Sequence, residues 1–246
     1  MSAGARGNSA AVPEISVVVP AYDEGALLEA NLAEIHSTLS AAGPSFEIVV
    51  VDDGSADTTR AIADRAAAAH SEISVVAHSE NRGLGAALRS GFMAATGEIV
   101  VALDADLTYD PGHVIMLVDA LEGTAARIAV ASPYARGGRV SGVPSHRIAL
   151  SRVANRLLAR RYGLATTTGM VRAYRREFLR DALADVGDDD LLFGLLRAAA
   201  RPDDVVEVAA HLDWTRVPGR VSKRRTRDSI RAVVRALRTP RRSGRA

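Results

Sequence analysis

The chain has no cysteine and no long apolar run. Without cysteine it has neither a disulfide framework nor a thiol for nucleophilic catalysis. Apolar residues make up 48% of its 246 positions, yet they never continue for the roughly 18 residues that a membrane-spanning helix needs. Residues 1–13 lack the apolar core of a signal peptide and are expected to be flexible. These absences predict a soluble, cytoplasmic protein.

Lysine is also nearly missing, and the basic residues are unevenly distributed. Lys223 is the only lysine. Residues 216–246 hold 12 of the 31 basic residues and one of the 29 acidic residues, Asp228, which leaves 19 basic and 28 acidic residues before position 216. The tail is therefore cationic and the body anionic. A strongly basic end indicates a phosphate-rich partner, such as an anionic membrane, nucleic acid or a phosphorylated substrate.

Short β-branched runs alternate with segments of helical spacing in the first half of the chain. The spacing is clearest at Leu28, Leu32, Ile35 and Leu39, which fall on one face of a helix. The predicted strands cover residues 15–19, 46–51, 73–77, 99–103 and 128–132. Strands that alternate with helices form a parallel sheet. The sequence therefore predicts an α/β fold, with a mainly parallel central sheet and helices on both faces.

The second half is less regular. A basic amphipathic helix is predicted over 147–162, where five arginines alternate with apolar residues. Further strands are predicted at 170–174 and 205–208, and further helices at 177–183, 191–200 and 228–237. The last helix has an apolar face of Ile230, Val233, Val234 and Leu237. That face either lies in the interface of an anionic membrane or packs on the body of the protein.

Acidic side chains follow three of the predicted strands at the point where each strand ends. These residues are Asp23 and Glu24, Asp52 and Asp53, and Asp104 and Asp106. Ligands of open parallel sheets bind outside the carboxyl ends of the strands. Because like charges held close together repel, such a cluster favours neutralisation by a cation or by hydrogen-bond donors. The sequence therefore predicts a ligand site at this edge of the sheet.

Asp104 and Asp106 are the strongest candidates for metal ligands. The small residue Ala105 separates them, so both carboxylates can turn toward one hard cation, Mg²⁺ or Mn²⁺, which would bridge them to a diphosphate. In the alternative interpretation, Asp106 or Asp110 caps the helix that begins near Pro111. For Asp110, capping is the preferred interpretation.

Other motifs have simpler interpretations. Residues 52–55, taken alone, fit turn chemistry, with Ser55 or Asp57 capping the next helix. Residues 81–86 lack the third glycine of a dinucleotide-binding fingerprint and follow the third strand, so that interpretation is rejected. The histidines show no zinc spacing, and His36 and His70 are expected to be solvated. Ser90, like Ser55, has no recognisable base for a hydrolytic triad.

Together these motifs resemble the inverting glycosyltransferases of family 2 with the GT-A fold, which include dolichol-phosphate and polyprenol-phosphate mannose synthases. The motifs are Val-Val-Pro-Ala-Tyr-Asp-Glu at 18–24, Val-Asp-Asp-Gly-Ser at 51–55, Asn-Arg-Gly-Leu-Gly-Ala at 81–86, Leu-Asp-Ala-Asp-Leu at 103–107, Thr-Gly-Met-Val-Arg-Ala-Tyr-Arg-Arg-Glu at 168–177, Trp-Thr-Arg at 214–216, Gly219, Ser222 and Lys223. The resemblance implies a GT-A domain over 14–215, followed by a basic tail over 216–246 with an amphipathic helix.

The resemblance also implies roles for individual residues. It implies a nucleoside pocket at Pro20, Tyr22, Glu24, Val51 and Asp53, with Asp53 accepting a hydrogen bond from the base. It implies metal ligation by Asp104 and Asp106 and donor contact at Ala105, and Thr108 can offer one more oxygen to the metal. It implies phosphate-binding cations at Arg147, Arg216 and Lys223, with Arg147 acting in catalysis beside Asp104 and Asp106.

Two positions depart from the pattern of the mannose synthases. These enzymes usually have glutamine where this chain has Thr108, and arginine where it has Pro133. Proline cannot hold a phosphate, so Arg136 or Arg139 would have to compensate. The segment around 187–190 also lacks the expected aromatic and glutamate pattern. A catalytically silent relative is therefore one alternative interpretation.

The implied reaction moves a hexose to a lipid phosphate. Mannose from GDP-mannose is the favoured donor, with UDP-glucose as a second choice, and the acceptor is a polyprenyl or dolichyl monophosphate at the inner face of a membrane. That acceptor is already ionised near neutral pH, so it needs no protein base. A hydroxyl acceptor is the alternative, with Asp189 or Asp190 as the base. Nucleic-acid binding through the tail is disfavoured, because the tail has no aromatic residues and the body is acidic.

Overall fold

The computed structural model describes residues 12–199, residues 201–217 and Val234. The main sheet contains β1 (Ile15–Ala21), β2 (Phe46–Asp52), β3 (Ile73–Ala77), β4 (Ile99–Ala102), β5 (Ile128–Ser132), β7 (Arg172–Arg175) and β8 (Val205–Ala209). A separate pair consists of β6 (Arg139–Ser141) and β9 (His211–Asp213). The helices are α1 (Leu28–Ala42), α2 (Thr59–Ala69), α3 (Leu84–Ala94), α4 (Gly112–Glu122), α5 (Ser145–Tyr162), α6 (Arg176–Leu183) and α7 (Leu191–Ala198).

The strand order of the main sheet is β3-β2-β1-β4-β7-β5-β8. Strand β7 runs antiparallel to both of its neighbours, and the other pairs are parallel. The prediction of a mainly parallel sheet is therefore confirmed. The strand predicted over 170–174 corresponds to β7, but its reversed direction was not predicted. The sequence pattern missed β6 and β9, which are three residues each.

Alternate side chains of each strand enter two different cores, because successive residues of a strand point to opposite faces. In β1, Val17 packs in the core that contains Leu32 of α1 and Leu117 of α4, whereas Val18 packs in the core that contains Leu88 of α3. Helices α5, α6 and α7 cover the second face together with α3. The predicted helices on both faces are confirmed, and each fully buried leucine contributes roughly 1.5–3 kcal/mol to stability.

The helix predicted over 147–162 begins two residues earlier, at Ser145, and the helix predicted over 177–183 begins at Arg176. The helix predicted to reach residue 200 ends at Ala198. Lys223 and the helix predicted over 228–237, apart from Val234, lie outside the described residues, as do residues 1–11. Within the described ranges, no helix has both the length and the apolar character needed to span a bilayer.

Two glycines of the sequence motifs have a structural explanation. Gly54 has φ +70°, and a Cβ there would lie 2.3 Å from the backbone of Glu80. A Cβ on Gly85 would lie 1.9 Å from the carbonyl oxygen of Asp188. Glycine at these positions lets the loop after β2 and the first turn of α3 approach neighbouring backbone closely.

Candidate functional site

The sheet order brings the predicted carboxylates to one edge. Strands β2, β1 and β4 are adjacent and parallel, so the segments that follow them leave the sheet on the same side. The N–H of Asp53 donates to the carbonyl oxygen of Ala21 over 2.9 Å, and the N–H of Leu103 donates to that of Val18 over 3.0 Å. The candidate site is this edge, formed by the loops that follow the three strands.

Backbone geometry turns the loop after β4 sharply. Asn31 of α1 donates to the carbonyl oxygen of Ala105 over 2.8 Å, and Leu107 has φ +49°. The carboxylate of Asp106 accepts from the N–H of Thr108 over 3.1 Å. This carboxylate therefore stabilises its own turn rather than the start of α4. Two carboxylates on one short, fixed loop form a set of oxygen donors that suits a hard divalent cation.

The alternative role predicted for Asp110 is confirmed. Its carboxylate accepts from the N–H of Gly112 over 2.8 Å, at the first residue of α4. Tyr109, next to it, is buried. Its burial is the main cause of a raised pKa of the phenol, and the negative charge of Asp104 is the second cause. The tyrosine therefore stays neutral beside the loop after β4, which carries Asp104 and Asp106.

Asp53 forms the centre of a buried polar cluster. Its carboxylate accepts from the N–H of Arg82 over 2.9 Å and from the N–H of Gly83 over 2.8 Å. The same carboxylate lies 2.7 Å from Nδ1 of His78, and both side chains are only 5% exposed. Nε2 of His78 lies 2.9 Å from Oγ of Ser90. Asp53 therefore fixes the loop that begins α3.

The expectation that Ser90 has no basic partner is wrong, because His78 contacts it. The sequence gives no local signal for this contact, since His78 follows β3 and its partners come from β2 and α3. The resemblance gave Asp53 a hydrogen bond to the base of the donor. In the structure its two oxygens are engaged by Arg82, Gly83 and His78.

The loop after β1 is held against the loop after β2. The N–H of Asp23, which has φ +51°, donates to Oγ of Ser55 over 3.0 Å, and the N–H of Glu24 donates to Oγ1 of Thr59 over 2.8 Å. Of the two residues proposed to cap α2, Asp57 accepts from the N–H of Thr59 over 2.8 Å. Ser55 binds Asp23 instead.

The other predicted nucleoside residues differ in exposure. Val51 is buried in β2 and Pro20 is half-buried in β1, while Tyr22 is exposed at the edge of the sheet. Tyr22 is therefore accessible to a ligand and Glu24 partly so, whereas Val51 belongs to the core.

Residues of the second half of the chain contact the loop after β4. The N–H of Asp213 donates to the carbonyl oxygen of Thr108 over 2.8 Å. The guanidinium carbon of Arg147 lies 5.4 Å from the ring centre of Trp214. The structure thus brings Thr108 and Arg147 to the same segment, residues 213–216.

Arg216 binds two carboxylates, Glu34 of α1 and Asp110, the latter over 2.9 Å. Burial lowers the pKa of this guanidinium, but the hydrogen bonds to Glu34 and Asp110 outweigh burial, so the pKa is raised. A diphosphate would have to compete with these carboxylates for Arg216. Lys223 lies outside the described residues.

The remaining candidate residues lie in the segment 187–190 and at or just before β6. Asp188 pairs with Arg89, and Asp190 pairs with Arg197. Asp189, the other residue proposed as a base, is exposed. Arg136 and Arg139, predicted to compensate for Pro133, are exposed.

A second group of potential metal ligands lies at the opposite edge of the sheet. Ligand atoms of His36, His70 and Glu72 lie within 4.8 Å of one another, near the start of β2 and β3. The rings of His36 and Phe46 are 5.5 Å apart between centroids, and those of His36 and His70 are 4.1 Å apart. The expectation that His36 is simply solvated is therefore wrong, but this group is not part of the candidate site.

Comparisons with known proteins show what the chain is similar to. The model of glycosyl transferase family 2 matches residues 16–183. The dolichol-phosphate mannosyltransferase of Pyrococcus furiosus is 34% identical over 141 residues, which are 57% of this chain and 39% of that protein. The polyprenol monophosphomannose synthase of Mycolicibacterium smegmatis is 36% identical over 170 residues, 66% of this chain and 62% of that protein. The chain thus matches less than two thirds of the length of these relatives.

Two solved structures share the architecture. Glucosyl-3-phosphoglycerate synthase from Mycobacterium tuberculosis, in complex with Mn²⁺, UDP-glucose and phosphoglyceric acid, is 25% identical with a TM-score of 0.66, covering 92% of this chain and 78% of that chain. A mannosyltransferase from Pyrobaculum calidifontis, in complex with GDP-mannose and Mn²⁺, is 26% identical with a TM-score of 0.56, covering 85% and 58%.

Proposed function

Because the chain belongs to glycosyl transferase family 2, and is therefore a glycosyltransferase with the GT-A fold, we propose that it transfers a hexose to a polyprenyl or dolichyl monophosphate. Mannose from GDP-mannose is the favoured donor. The two curated relatives are named for mannose transfer to such lipids, and one structural neighbour holds GDP-mannose. UDP-glucose is the second donor to test, since another neighbour binds it.

The observation that carries the proposal is the contact between the loop after β4 and residues 213–216. The hydrogen bond from Asp213 to Thr108 places Trp214 and Arg216 beside the loop that carries Asp104 and Asp106. Arg147 reaches the same place from α5 through Trp214. Carboxylates that can hold a cation and arginines that can bind phosphate thus meet at one edge, which is what a nucleotide diphosphate donor requires.

A division of roles follows from this geometry. Asp53 and His78 fix the loop over Arg82 and Gly83, and we assign this loop to the border of the nucleoside pocket. Asp104 and Asp106 would hold Mg²⁺ or Mn²⁺, with Thr108 as a further oxygen donor, and the two structural neighbours that bind Mn²⁺ support a divalent metal. When bound, such a cation supplies positive charge to the departing diphosphate.

The arginines and the acceptor complete the reaction. Arg147, and Arg216 after it leaves Glu34 and Asp110, stabilise the negative charge that develops on the diphosphate. The phosphate oxygen of the acceptor attacks the anomeric carbon from the opposite face, so the bond to the diphosphate breaks as the new bond forms and the configuration inverts. The acceptor is ionised near neutral pH, so no protein base has to remove a proton.

A donor and acceptor matrix tests the proposal. The full chain is incubated with GDP-mannose or UDP-glucose and with a polyprenyl monophosphate or the corresponding polyprenol, with Mn²⁺ or with excess chelator. Transfer to the monophosphate that stops with chelator and returns with Mn²⁺ is the expected result. Transfer to the polyprenol alone would point to the hydroxyl acceptor. RNA binding without transfer from any donor would contradict the proposal.

A further inference from the structure

The outward face of α5 carries an apolar stripe. Leu150, Val153 and Leu157 are 42%, 57% and 54% exposed, although they belong to residue types that usually lie in the core. Their spacing puts them on one side of the helix. The opposite side is buried through Asn155 and Leu158. The exposed stripe is therefore additional to the face with which α5 packs on the body.

The charge of α5 has one sign. Its sequence, Ser145–Tyr162, contains five arginines and neither aspartate nor glutamate. Arg152 and Arg156 are exposed on one side of α5, between the stripe and the buried face. Apolar residues on the outward face with arginines at the side are typical of a helix that lies in the interface of an anionic membrane.

A cavity of about 390 Å³ borders α5 on another side, away from the stripe. It lies between α5 and the loop after β5, and Pro133, Tyr134, Arg152 and Arg156 are among its lining residues. The guanidinium carbon of Arg152 lies 5.8 Å from the ring centre of Tyr134, which restrains the arginine at the cavity wall. Two arginines at the wall of one cavity match the chemistry of a phosphate group.

Charge also argues against the C-terminal tail as the group that covers the stripe. Residues 218–246 contain 11 basic residues and one acid. Packing them on α5 would bring two cationic segments together, whereas an anionic bilayer attracts both. A nucleic acid would satisfy the arginines but would leave Leu150, Val153 and Leu157 in water.

We infer that the outward face of α5 docks on an anionic lipid bilayer, with Leu150, Val153 and Leu157 inserted at the level of the headgroups and Arg152 and Arg156 binding lipid phosphate. This inference rests on the proposed function in one respect: a lipid-linked acceptor gives the protein a reason to be at the membrane. The docking itself requires no catalysis.

Vesicle sedimentation of the full chain tests the docking. One variant carries Leu150→Ser, Val153→Ser and Leu157→Ser, and the matched control carries Met93→Ser and Met116→Ser, since these methionines are 73% and 44% exposed on α3 and α4. The vesicles contain phosphatidylcholine alone or mixed with phosphatidylglycerol. Circular dichroism checks that both variants keep the helical content of the wild type.

Wild type and control should bind the anionic vesicles, less so at high salt, and the α5 variant should bind about tenfold more weakly. Arg152→Gln with Arg156→Gln should reduce mainly the salt-sensitive part of the binding. Equal binding by the α5 variant and the control would overturn the inference and assign attachment to another segment. Binding to RNA with the same dependence on Arg152 and Arg156, but without dependence on the stripe, would also overturn it.

An activity assay separates this inference from the proposed function. Transfer to a short polyprenyl monophosphate in detergent does not need a bilayer. If that transfer occurs and the α5 variant still binds vesicles like wild type, the docking is wrong and the proposed function stands. If docking is as expected and no donor supports transfer, the proposed function is wrong and the docking stands.

Discussion

The main-chain N–H of Asp213 donates a hydrogen bond to the carbonyl oxygen of Thr108 over 2.8 Å. The two residues are far apart in sequence, so the contact fixes residues 213–216 relative to the loop after β4. His113 reinforces it, because Nε2 of its buried ring accepts from the N–H of His211 over 3.1 Å. The geometry of the candidate site thus depends on contacts between the two halves of the chain.

The first prediction concerns the metal. Asp104→Asn and Asp106→Asn should each weaken Mn²⁺ binding and lower kcat by about 100-fold or more, because an amide removes a negative charge that the cation needs. Calorimetric Mn²⁺ titration and transfer rates measure the two effects. Asp119→Asn, on the exposed surface of α4, is the matched control and should change neither. Full activity of either variant in excess chelator would contradict the metal assignment.

The second prediction concerns Asp53. Asp53→Asn should raise the donor KM about tenfold and lower kcat much less, because in the proposed site the loop over Arg82 and Gly83 borders the nucleoside, which does not change in the reaction. An amide cannot accept all the hydrogen bonds that the carboxylate accepts. Initial rates at varied donor concentration provide the test, and an unchanged KM would restrict Asp53 to a role in the turn.

Ser90→Ala is the control for this cluster. It removes the hydroxyl next to Nε2 of His78 and leaves the contact between His78 and Asp53 in place. Little change in transfer is expected. A large loss of kcat with unchanged KM would instead give Ser90 a part in the chemistry.

The third prediction concerns Arg147. Arg147→Gln should lower kcat about 10- to 100-fold with a smaller change in KM, because its charge acts on the diphosphate as that group departs. Arg147→Lys should recover part of the loss, since a lysine keeps the charge but loses the planar stacking on Trp214. Arg180→Gln, at an exposed position of α6, serves as the control. Equal kcat for the Arg147 and Arg180 variants would show that Arg147 has no role in catalysis.

Local sequence patterns predicted the parallel part of the sheet well. The run 128–132 coincides with β5, whose residues are all buried, because buried strands are continuous apolar stretches. The run 73–77 likewise coincides with the edge strand β3. The carboxylates at the strand ends could be found in the same way. The insertion of β7 between β4 and β5 could not, since strand order and direction depend on packing between distant segments.

The missed contacts share this cause. His78 and Ser90 meet because β3 lies beside β2 and α3 packs over both, and no residue near His78 in sequence indicates this. Arg216 was predicted as a cation for the donor, but its pairing with Glu34 depends on how residues 213–216 dock on the body. The residue type indicated which interactions a side chain such as Arg216 can make. The tertiary structure determines which residue it actually contacts.

The fourth prediction concerns stability. Arg172 is fully buried, and its guanidinium donates to the carbonyl oxygens of Gly169, Leu192 and Thr167 over 2.9, 2.8 and 2.6 Å. Arg172→Met should lower the free energy of unfolding by about 3 kcal/mol or more, because buried acceptors lose their donors. Urea denaturation measures the change. Arg60→Met, an exposed arginine paired with Asp64, should cost no more than about 1 kcal/mol. Equal losses in both variants would mean that the three carbonyls find other donors.

The last prediction concerns the carboxylates that hold Arg216. Glu34 and Asp110 compete with a diphosphate for its guanidinium. Glu34→Gln removes one negative charge without touching the cap that Asp110 provides for α4. If Arg216 turns to the donor, the donor KM should fall about two- to fivefold, because less free energy is needed to break the ion pairs of Arg216 with the carboxylates.

Initial rates with varied donor concentration test this, with Glu29→Gln as the matched control. Glu29 lies on the same helix and is 76% exposed, 3.8 Å from Arg65, so its variant should leave KM unchanged. A higher KM for Glu34→Gln would show the opposite arrangement, in which Glu34 holds Arg216 in the position that the donor needs. An unchanged KM would leave phosphate binding to Arg147 and to residues beyond position 217. The direction of the KM change therefore decides whether the ion pair between Glu34 and Arg216 opposes donor binding or prepares the site for it.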